Sequence, residues 1–483
     1  MSSGSTPRSG NAAFYSLASV LCAGLAWVSY REILAYGFTD IDSLLYIREA
    51  GSFRLSEASA LFTEKLTGGR AGDTANFYRP LVGALYAALR ALFGWHPAGY
   101  HAFAIGLHAL NGVLVVALAS VTGRAARLTQ PRVFGLLCGG LFVAHPLTVE
   151  VVPAVARYAD LLVTAMFSCA LLALSRADRT SGLGARAAFY GFFACTLLSK
   201  EPGAILLGVA PLYLLLCGSA VDLRGRTRRA ATFTAPCVAI FLGFVAVRAA
   251  VLTQWVGGYT LASRTPWERI ERVIAGLVVD LSAPAFAHWI REWAGGAFST
   301  WLALGAVLVM IAAATFAAHH WRAGGALGAR GRIAVFALGV VALFGLMFMA
   351  TGLYHRRYLY TAAAFACWLP ALALAGGWRR SVRDAVAFAA AAVFAFLWVA
   401  QSPLRVRDEE WRSVGEATHQ VTEGIRETWR DIPDGALVQL VNLPAVVSID
   451  PARRDLFFPG SSSNAATWYA IEAWLEDVFP SKH

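Results

Sequence analysis

Two aspartates, Asp40 and Asp42, follow the first apolar block of the chain within three residues of each other. A carboxylate that is partly removed from water can act as a general base or orient a hydroxyl group. An aspartate directly before Ser43 is also a good helix N-cap, because it can accept hydrogen bonds from the first turn. The pair therefore indicates proton transfer, helix capping or acids of a solvated loop.

A short turn between two apolar blocks carries His145, Glu150, Arg157 and Asp160. Ionisable residues at the edge of a membrane helix are costly, and they normally face a partner or a cavity. If the turn were helical, Glu150, Arg157 and Asp160 would share one face. The pattern indicates a functional site, or ion pairs that only hold the turn.

Lys200 and Glu201 stand between two apolar blocks with almost no loop, and Tyr78 and Arg79 precede a further apolar stretch. A lysine at a helix end commonly extends its charged group to the membrane surface. Lys200 is therefore either such an anchor or part of an anion site.

The elements that must hold these residues are long apolar blocks. The chain has 483 residues, of which 57% are hydrophobic and 15% charged, whereas about a quarter of a soluble protein is charged. About 20 apolar residues can cross a bilayer, and they do so as a helix because the backbone must satisfy its own hydrogen bonds. The sequence predicts an all-α polytopic membrane protein with about eleven spans. The predicted spans are 12–30, 97–122, 132–152, 155–175, 186–200, 203–219, 229–254, 299–320, 333–353, 357–378 and 382–402.

Arginine-rich short loops predict the orientation of these spans. They lie at 124–132, 176–186, 224–229, 322–332 and 379–383. The positive-inside rule places such loops and the N-terminus in the cytoplasm. These loops account for the net charge of +11, so we expect no nucleic-acid partner. With the N-terminus and the loop 124–132 both in the cytoplasm, only two spans can lie between them. Residues 78–95 are therefore predicted as an interfacial helix on the outer surface rather than a span.

Arg356 and Arg357, beside Tyr358, break this charge rule, because the predicted orientation of the spans places them on the outer side. An anionic ligand such as a phosphate group would explain paired arginines there. Anionic lipid headgroups are the alternative. Arg79 has the same two interpretations.

The predicted organisation follows from these assignments. Six segments are predicted: an N-terminal segment with the first span (1–30), a first outer loop with interfacial helices and the acidic motif (31–96), a membrane core (97–254), a second outer loop (255–298), C-terminal membrane helices (299–402) and an extracytoplasmic tail (403–483). A strand-like run at 436–441 makes the tail a small α/β domain. The seven cysteines all fall in apolar blocks, which predicts neither disulfides nor a zinc site.

The order of these motifs resembles the polyprenyl-phosphate-sugar-dependent glycosyltransferases of the GT-C fold. The likeness is greatest to the transmembrane part of the O-mannosyltransferases that carry tetratricopeptide repeats, and to their bacterial relatives, over about residues 12–402. The matching motifs are the acidic pair and the segments 78–81, 145–150, 157–160, 199–201 and 357–360.

The resemblance implies a role for each of these residues. It implies a catalytic aspartate at Asp40 or Asp42, with Asp160 as a second acid. The donor phosphate is then expected at Arg79, Lys200, Arg356 and Arg357. Other expected site residues are Tyr78, His145, Glu150, Arg157, Glu201 and Tyr358.

The implied reaction is inverting transfer of a mannose-like hexose from a polyprenyl-phosphate donor to a hydroxyl acceptor, without a metal or another cofactor. It would take place at the extracytoplasmic face of a bacterial inner membrane. The acceptor could be a protein Ser or Thr, a glycan or a lipid, because the tetratricopeptide repeats are missing. Two alternatives stay open, an enzyme of the same fold that modifies lipids or glycans, as in aminoarabinose transfer, and a lipid or solute transporter.

Overall fold

The computed structural model describes twelve continuous segments and a few C-terminal residues. These are residues 7–39, 42–51, 59–66, 77–180, 182–220, 222–253, 265–282, 328–351, 355–376, 382–400, 409–429 and 431–433, with residues 471, 474, 475 and 478.

Within these segments the regular structure is helical, which agrees with the predicted all-α class. The helices are α1 (Pro7–Tyr30), α2 (Ser43–Gly51), α3 (Ala60–Thr63), α4 (Pro80–Phe93), α5 (Pro97–Ala125), α6 (Pro131–Val143), α7 (Tyr158–Thr180), α8 (Leu183–Ser199), α9 (Leu206–Cys217), α10 (Leu223–Leu252), α11 (Pro266–Ser282), α12 (Ala329–Thr351), α13 (Tyr360–Ala366), α14 (Trp368–Gly376), α15 (Val382–Ala400) and α16 (Glu409–Trp429). Short 3₁₀ turns occupy Arg31–Ala35, Pro146–Glu150, Val155–Arg157, Glu201–Ile205 and Arg356–Leu359.

Several of these helices are long and apolar enough to cross a membrane. Six candidates are found in the described residues: Asn11–Ala35, Pro97–Ala125, Val155–Thr180, Leu223–Leu252, Ala329–Thr351 and Arg356–Gly376. Three further predicted spans correspond to the shorter apolar helices Pro131–Val143, Leu183–Ser199 and Glu201–Cys217, and α15 lies within the predicted span 382–402. The predicted span 299–320 and the strand-like run 436–441 lie outside the described residues. The chain is a multi-span helical membrane protein, and the count of eleven spans stays a prediction.

The predicted span 132–152 is wrong at its end. Helix α6 ends at Val143, and His145 has an extended backbone (φ −66°, ψ 130°). The cause is Pro146, since the residue before a proline is disfavoured in the helical conformation. The apolar residues beyond this point form two buried 3₁₀ turns, which carry Glu150 and Arg157.

Close contacts between helices hold the bundle together. Helices α5 and α6 approach so tightly that a Cβ added to Gly139 would lie 2.8 Å from the carbonyl oxygen of Gly112. Small residues are what permit such backbone approach in membrane bundles, where packing replaces the hydrophobic effect between helices. This packing brings the end of α6, and the turns after it, against α5.

The charged side chains divide between the two ends of the bundle. At one end, Arg229 Nη1 lies 2.7 Å from Asp178 Oδ1, and Arg332 donates to the Ala126 carbonyl at 3.3 Å. The 29 residues of α5 separate this basic end from the opposite end by roughly 40 Å, at ~1.5 Å per residue. The opposite end, where Tyr30 and Thr148 share a hydrogen bond of 2.7 Å, is called the site end below.

The residues that flank helix α4 on both sides contact the site end of the bundle. Arg79, just before it, pairs with Glu201, and Trp95, just after it, packs on Phe38 with ring centroids 6.0 Å apart. Tyr86, near its middle, donates to the Val155 carbonyl at 2.6 Å. Helix α4 is among the shorter apolar helices of the described residues, and the interfacial placement of residues 78–95 stays a prediction.

A topology experiment tests this placement. We expect a reporter fused after Thr129, in the α5–α6 turn, to be cytoplasmic, and one fused after Gly94 to be extracytoplasmic. The reason is that α4 then adds no crossing between α1 and α5. Paired alkaline phosphatase and fluorescent protein fusions measure the two positions. The opposite readings at both positions would show that α4 crosses the membrane.

Candidate active site at one end of the bundle

A buried lysine lies at the centre of the larger group of charges at the site end. Lys200 Nζ lies 2.5 Å from Asp160 Oδ1, and both side chains are about 95% buried, with exposures of 5% and 6%. The same ammonium group is 4.6 Å from the centroid of the Tyr358 ring. Arg79 and Arg357 act on the charge of Lys200. We call the group the Lys200 cluster; its members are Arg79, Asp160, Lys200, Glu201, Arg248, Arg357 and Tyr358.

Helix ends and breaks position these side chains. Lys200 is extended (φ −164°, ψ 148°) between α8 and the 3₁₀ turn Glu201–Ile205, whose second residue is Pro202. Asp160 lies in the first turn of α7, where the helix dipole favours a carboxylate. Lys200 and Glu201, adjacent in the sequence, pair with different residues: Lys200 with Asp160, and Glu201 with Arg79, whose Nη2 donates to Glu201 Oε2 at 2.7 Å.

A second group of charges, the Glu150 cluster, consists of Glu150, Arg157, Asp280 and Arg356. Arg157 Nη1 lies 3.0 Å from Glu150 Oε2, with exposures of 2% and 3%, and Arg356 Nε lies 2.8 Å from Asp280 Oδ1. Glu150 and Arg157 pair across two 3₁₀ turns rather than along one helix. The turn is not one continuous helix, so the condition for a common helical face of Glu150, Arg157 and Asp160 is not met, and Asp160 pairs with Lys200.

The two clusters are joined electrostatically through Arg357. Burial raises the pKa of Glu150, while Arg157, Arg356 and Arg357 oppose that change. Burial lowers the pKa of Lys200. The charge of Asp160 raises this pKa, and the charges of Arg79 and Arg357 lower it further. Arg357 therefore acts on both clusters, while its guanidinium lies 5.3 Å from the Tyr358 ring centroid.

The segment that carries the two aspartates is fixed to the same end. The buried hydroxyl of Thr39 donates to the Pro153 carbonyl, and the Ser43 hydroxyl donates to the Thr39 carbonyl. Asp42 is half-buried and stands directly before α2, where its carbonyl accepts from Tyr46 N at 3.0 Å. Asp40 lies outside the described residues.

Aromatic contacts connect α2 to the charged turns. Tyr46 packs on Tyr86 with centroids 5.5 Å apart, and Tyr86 stacks on Tyr158 at 5.7 Å. Tyr158 lies between Arg157 and the Asp160 turn of α7. The acidic segment and the ion-pair clusters are thus parts of one packed region.

Backbone groups engage two of the predicted site residues. His145 lies 3.2 Å from the Leu281 carbonyl through Nε2, and its Nδ1 accepts from Leu147 N at 3.1 Å. Burial lowers the pKa of His145 to about 4, so the ring is neutral and Nε2 carries the proton. The hydroxyl of Tyr78 donates to the Phe62 carbonyl at 3.1 Å, and burial raises its pKa.

The sequence interpretation missed two charged residues of the site, Arg248 and Asp280. Arg248 is 6% exposed in the last turns of α10, and the charges of Glu201 and Arg79 act on it. Its signal was an arginine inside a predicted span, which marks a functional position by default. Asp280 is 1% exposed, and nothing in its local sequence distinguishes it from a solvated acid of an amphipathic helix.

This arrangement suits binding of an anion at the membrane surface. Four basic residues of the Lys200 cluster face two carboxylates, so the group keeps a net positive charge. Arginine forms bidentate hydrogen bonds to phosphate, and lysine supplies a compact charge. Within the described part of the chain, no group of three or more His, Cys, Asp or Glu residues could hold a metal ion.

The helical bundle and its charged end define a multi-span membrane protein with a buried, cation-rich site. No protein-family model matches the chain. It is 32% identical over 154 residues to human Protein O-mannosyl-transferase TMTC4, a stretch that covers 29% of this chain and 21% of the relative.

Two mouse proteins give matches of the same kind. Identity to Protein O-mannosyl-transferase TMTC2 is 28% over 147 residues, covering 28% of this chain and 16% of that protein. Identity to mouse TMTC4 is 28% over 168 residues, covering 32% and 23%. The matched stretches span less than a quarter of these relatives. The expected resemblance to O-mannosyltransferases is therefore confirmed as a distant and partial similarity.

Proposed function

We propose that the chain is a membrane glycosyltransferase that moves a sugar, a mannose-like hexose above all, from a polyprenyl-phosphate donor to a hydroxyl acceptor. The observation that carries the proposal is the Lys200 cluster, whose buried Lys200 and partly buried Arg79 and Arg357 lie at the same end of the bundle as Thr39 and Asp42. The similarity to O-mannosyltransferases supports the same reaction class.

The proposed role of the basic residues is to bind the donor phosphate and stabilise it as the leaving group. Charge that develops on phosphate in the transition state is stabilised most by donors that are fixed in advance and shielded from water. Lys200 and Arg79 are each already held by a carboxylate, at 2.5 Å and 2.7 Å, and their side chains are 5% and 11% exposed. Binding the phosphate then requires little reorganisation of the site.

The proposed reaction is a single displacement at the anomeric carbon. Asp40 or Asp42 takes the proton of the acceptor hydroxyl, whose oxygen attacks the anomeric carbon. The bond from that carbon to the phosphate oxygen breaks, and polyprenyl phosphate leaves with the electron pair. Attack from the opposite face inverts the anomeric configuration. The basic residues neutralise the leaving group, so the proposal needs no metal.

The site end is proposed to face the extracytoplasmic side of the membrane, and the basic end the cytoplasm. A donor could then enter from the outer leaflet with its phosphate at the level of the helix ends. The acceptor remains a hydroxyl of a protein, a glycan or a lipid, and an aminoarabinose-type donor is the alternative within the same chemistry.

Reconstitution tests this function directly. Purified protein in liposomes that contain polyprenyl-phosphate [³H]mannose should release label from the donor to a hydroxyl acceptor, with inverted anomeric configuration. Supplying peptide, glycan and glycolipid acceptors in parallel identifies the acceptor class. The matched control is the protein with Asp40 and Asp42 both replaced by Asn. Movement of the labelled donor between leaflets, with no sugar transfer to any of the three acceptors, would overturn the enzyme proposal and favour a transporter.

A further inference from the structure

One face of helix α16, from the tail of the chain, lies against the site end. Its residues Trp411, Gly415 and His419 are spaced by four, so they form a stripe along one side of the helix. Val414 and Thr418 beside them are 0% and 2% exposed. The opposite face is polar, and it carries the exposed Arg412–Glu416 ion pair at 2.8 Å.

The first contact of this stripe is Trp411 with the Glu150 cluster. Trp411 Nε1 donates to the Val149 carbonyl at 3.0 Å, and the Arg157 guanidinium lies 5.1 Å from the indole centroid. A buried indole N–H requires an acceptor, and an arginine over an indole face is attracted by the ring. Trp411 therefore covers the buried Glu150–Arg157 pair.

The second contact is between Gly415 and the segment before the two aspartates. A Cβ on Gly415 would lie 2.9 Å from Tyr36 Cβ and 3.1 Å from Gly37 N. A Cβ on Gly37 would lie 2.5 Å from the Gly415 carbonyl oxygen. Only glycine fits at either position without a shift. Gly37 is two residues before Thr39, whose hydroxyl donates to the Pro153 carbonyl.

Helix α16 thus contacts two segments of the site end, the residues directly before the two aspartates and the turns that hold Glu150 and Arg157. These segments are more than a hundred residues apart in the chain, and α16 is more than 250 residues beyond the second of them. Such a contact fixes the distance between the two segments, because one rigid helix touches both.

We infer that α16 is a positioning element of the site, in which Gly415 sets the place of the acidic segment and Trp411 that of the Glu150–Arg157 pair. This inference rests on the proposed glycosyl transfer. Neither residue touches the reacting atoms. Displacement of a reacting group by about 1 Å can lower a rate by roughly 10²-fold, so loss of the contact should lower turnover rather than donor affinity.

The test compares Gly415→Ala with Gly424→Ala in the full-length protein. Both add one methyl group to a glycine of α16, but a Cβ on Gly424 has nothing within 4 Å. Gly415→Ala should lower kcat for sugar transfer by about 10- to 100-fold and leave the Kd for polyprenyl-phosphate sugar within about two-fold. Amide hydrogen exchange should become faster in peptides that cover 36–39 and 146–157. Gly424→Ala should match the wild type in every measurement.

Trp411→Phe is the second variant, because it keeps an aromatic ring against Arg157 but removes the hydrogen bond to Val149. It should accelerate exchange in 146–157 and lower kcat without changing donor affinity, even if Gly415→Ala does not fold. Exchange and kcat unchanged in both variants would overturn the inference. If the wild type transfers no sugar, the proposed function fails, and the exchange measurements still decide whether α16 positions the two segments.

Discussion

Replacing Asp40 and Asp42 together with asparagine is expected to lower sugar transfer by about 10²- to 10⁴-fold, the range that a general base contributes. The single variants identify the base, because only one of them should approach the effect of the double variant. Transfer is measured with labelled polyprenyl-phosphate sugar in proteoliposomes, and donor affinity is measured separately. Donor affinity should change little, since the donor phosphate is bound by the Lys200 cluster.

Asparagine is the informative replacement because Asp42 stands at the N-cap of α2. Asparagine caps a helix about as well as aspartate, so a residue that only caps should tolerate the change. Asp222→Asn is the matched control, because Asp222 caps α10 at the basic end and accepts from Gly225 N at 3.3 Å. Full transfer by the double variant would contradict the mechanism.

Removal of the Lys200 ammonium group is expected to have two separable effects. Lys200→Met leaves Asp160 buried without its ion-pair partner, which should lower the free energy of unfolding by about 3–5 kcal/mol. In Lys200→Met/Asp160→Leu, both charges are absent, and much of that stability should return, because an apolar pair can replace a buried ion pair. Thermal unfolding in detergent measures both variants.

The double variant separates binding from stability. It should fold but bind the polyprenyl-phosphate sugar at least about ten-fold more weakly, since loss of one charge-assisted hydrogen bond costs about 1.5–3 kcal/mol. Arg229→Met/Asp178→Leu, which removes the ion pair at the basic end, should retain donor affinity. Wild-type donor affinity in the Lys200/Asp160 double variant would show that the lysine only holds the helices together.

The apolar blocks and the short basic loops could be recognised from the sequence because both are local patterns. Span length depends on bilayer thickness, and orientation depends on charge within single loops. Most predicted spans accordingly correspond to helices, from α1 to α15. The boundary at Val143 was misplaced because the residues after it are apolar but lie in buried 3₁₀ turns, where burial rather than lipid explains their hydropathy.

Part of the candidate site could likewise be recognised from local sequence patterns, and part could not. Arg356 and Arg357 were recognisable as cations at an unexpected helix end, and both lie at the site end. Their electrostatic partners were not recognisable, since Asp280 lies on a different helix, about 75 residues earlier in the sequence. Arg248 was visible in the sequence as a charge within a predicted span, but it was not predicted as a site residue. A single charge near the end of an apolar block is easily taken for an anchor.

The sequence by itself determined the membrane class, the helices and the positions of charges at their ends, because hydropathy and helical periodicity act over about twenty residues. Only the tertiary structure decided the pairs. Asp160 meets Lys200 rather than Arg157, Arg79 meets Glu201 across 122 positions, and Trp411 meets Arg157, which lies about half the chain length earlier in the sequence. The physical reason is that an ion pair or a glycine contact forms where helix ends converge, and this depends on the packing of the whole bundle.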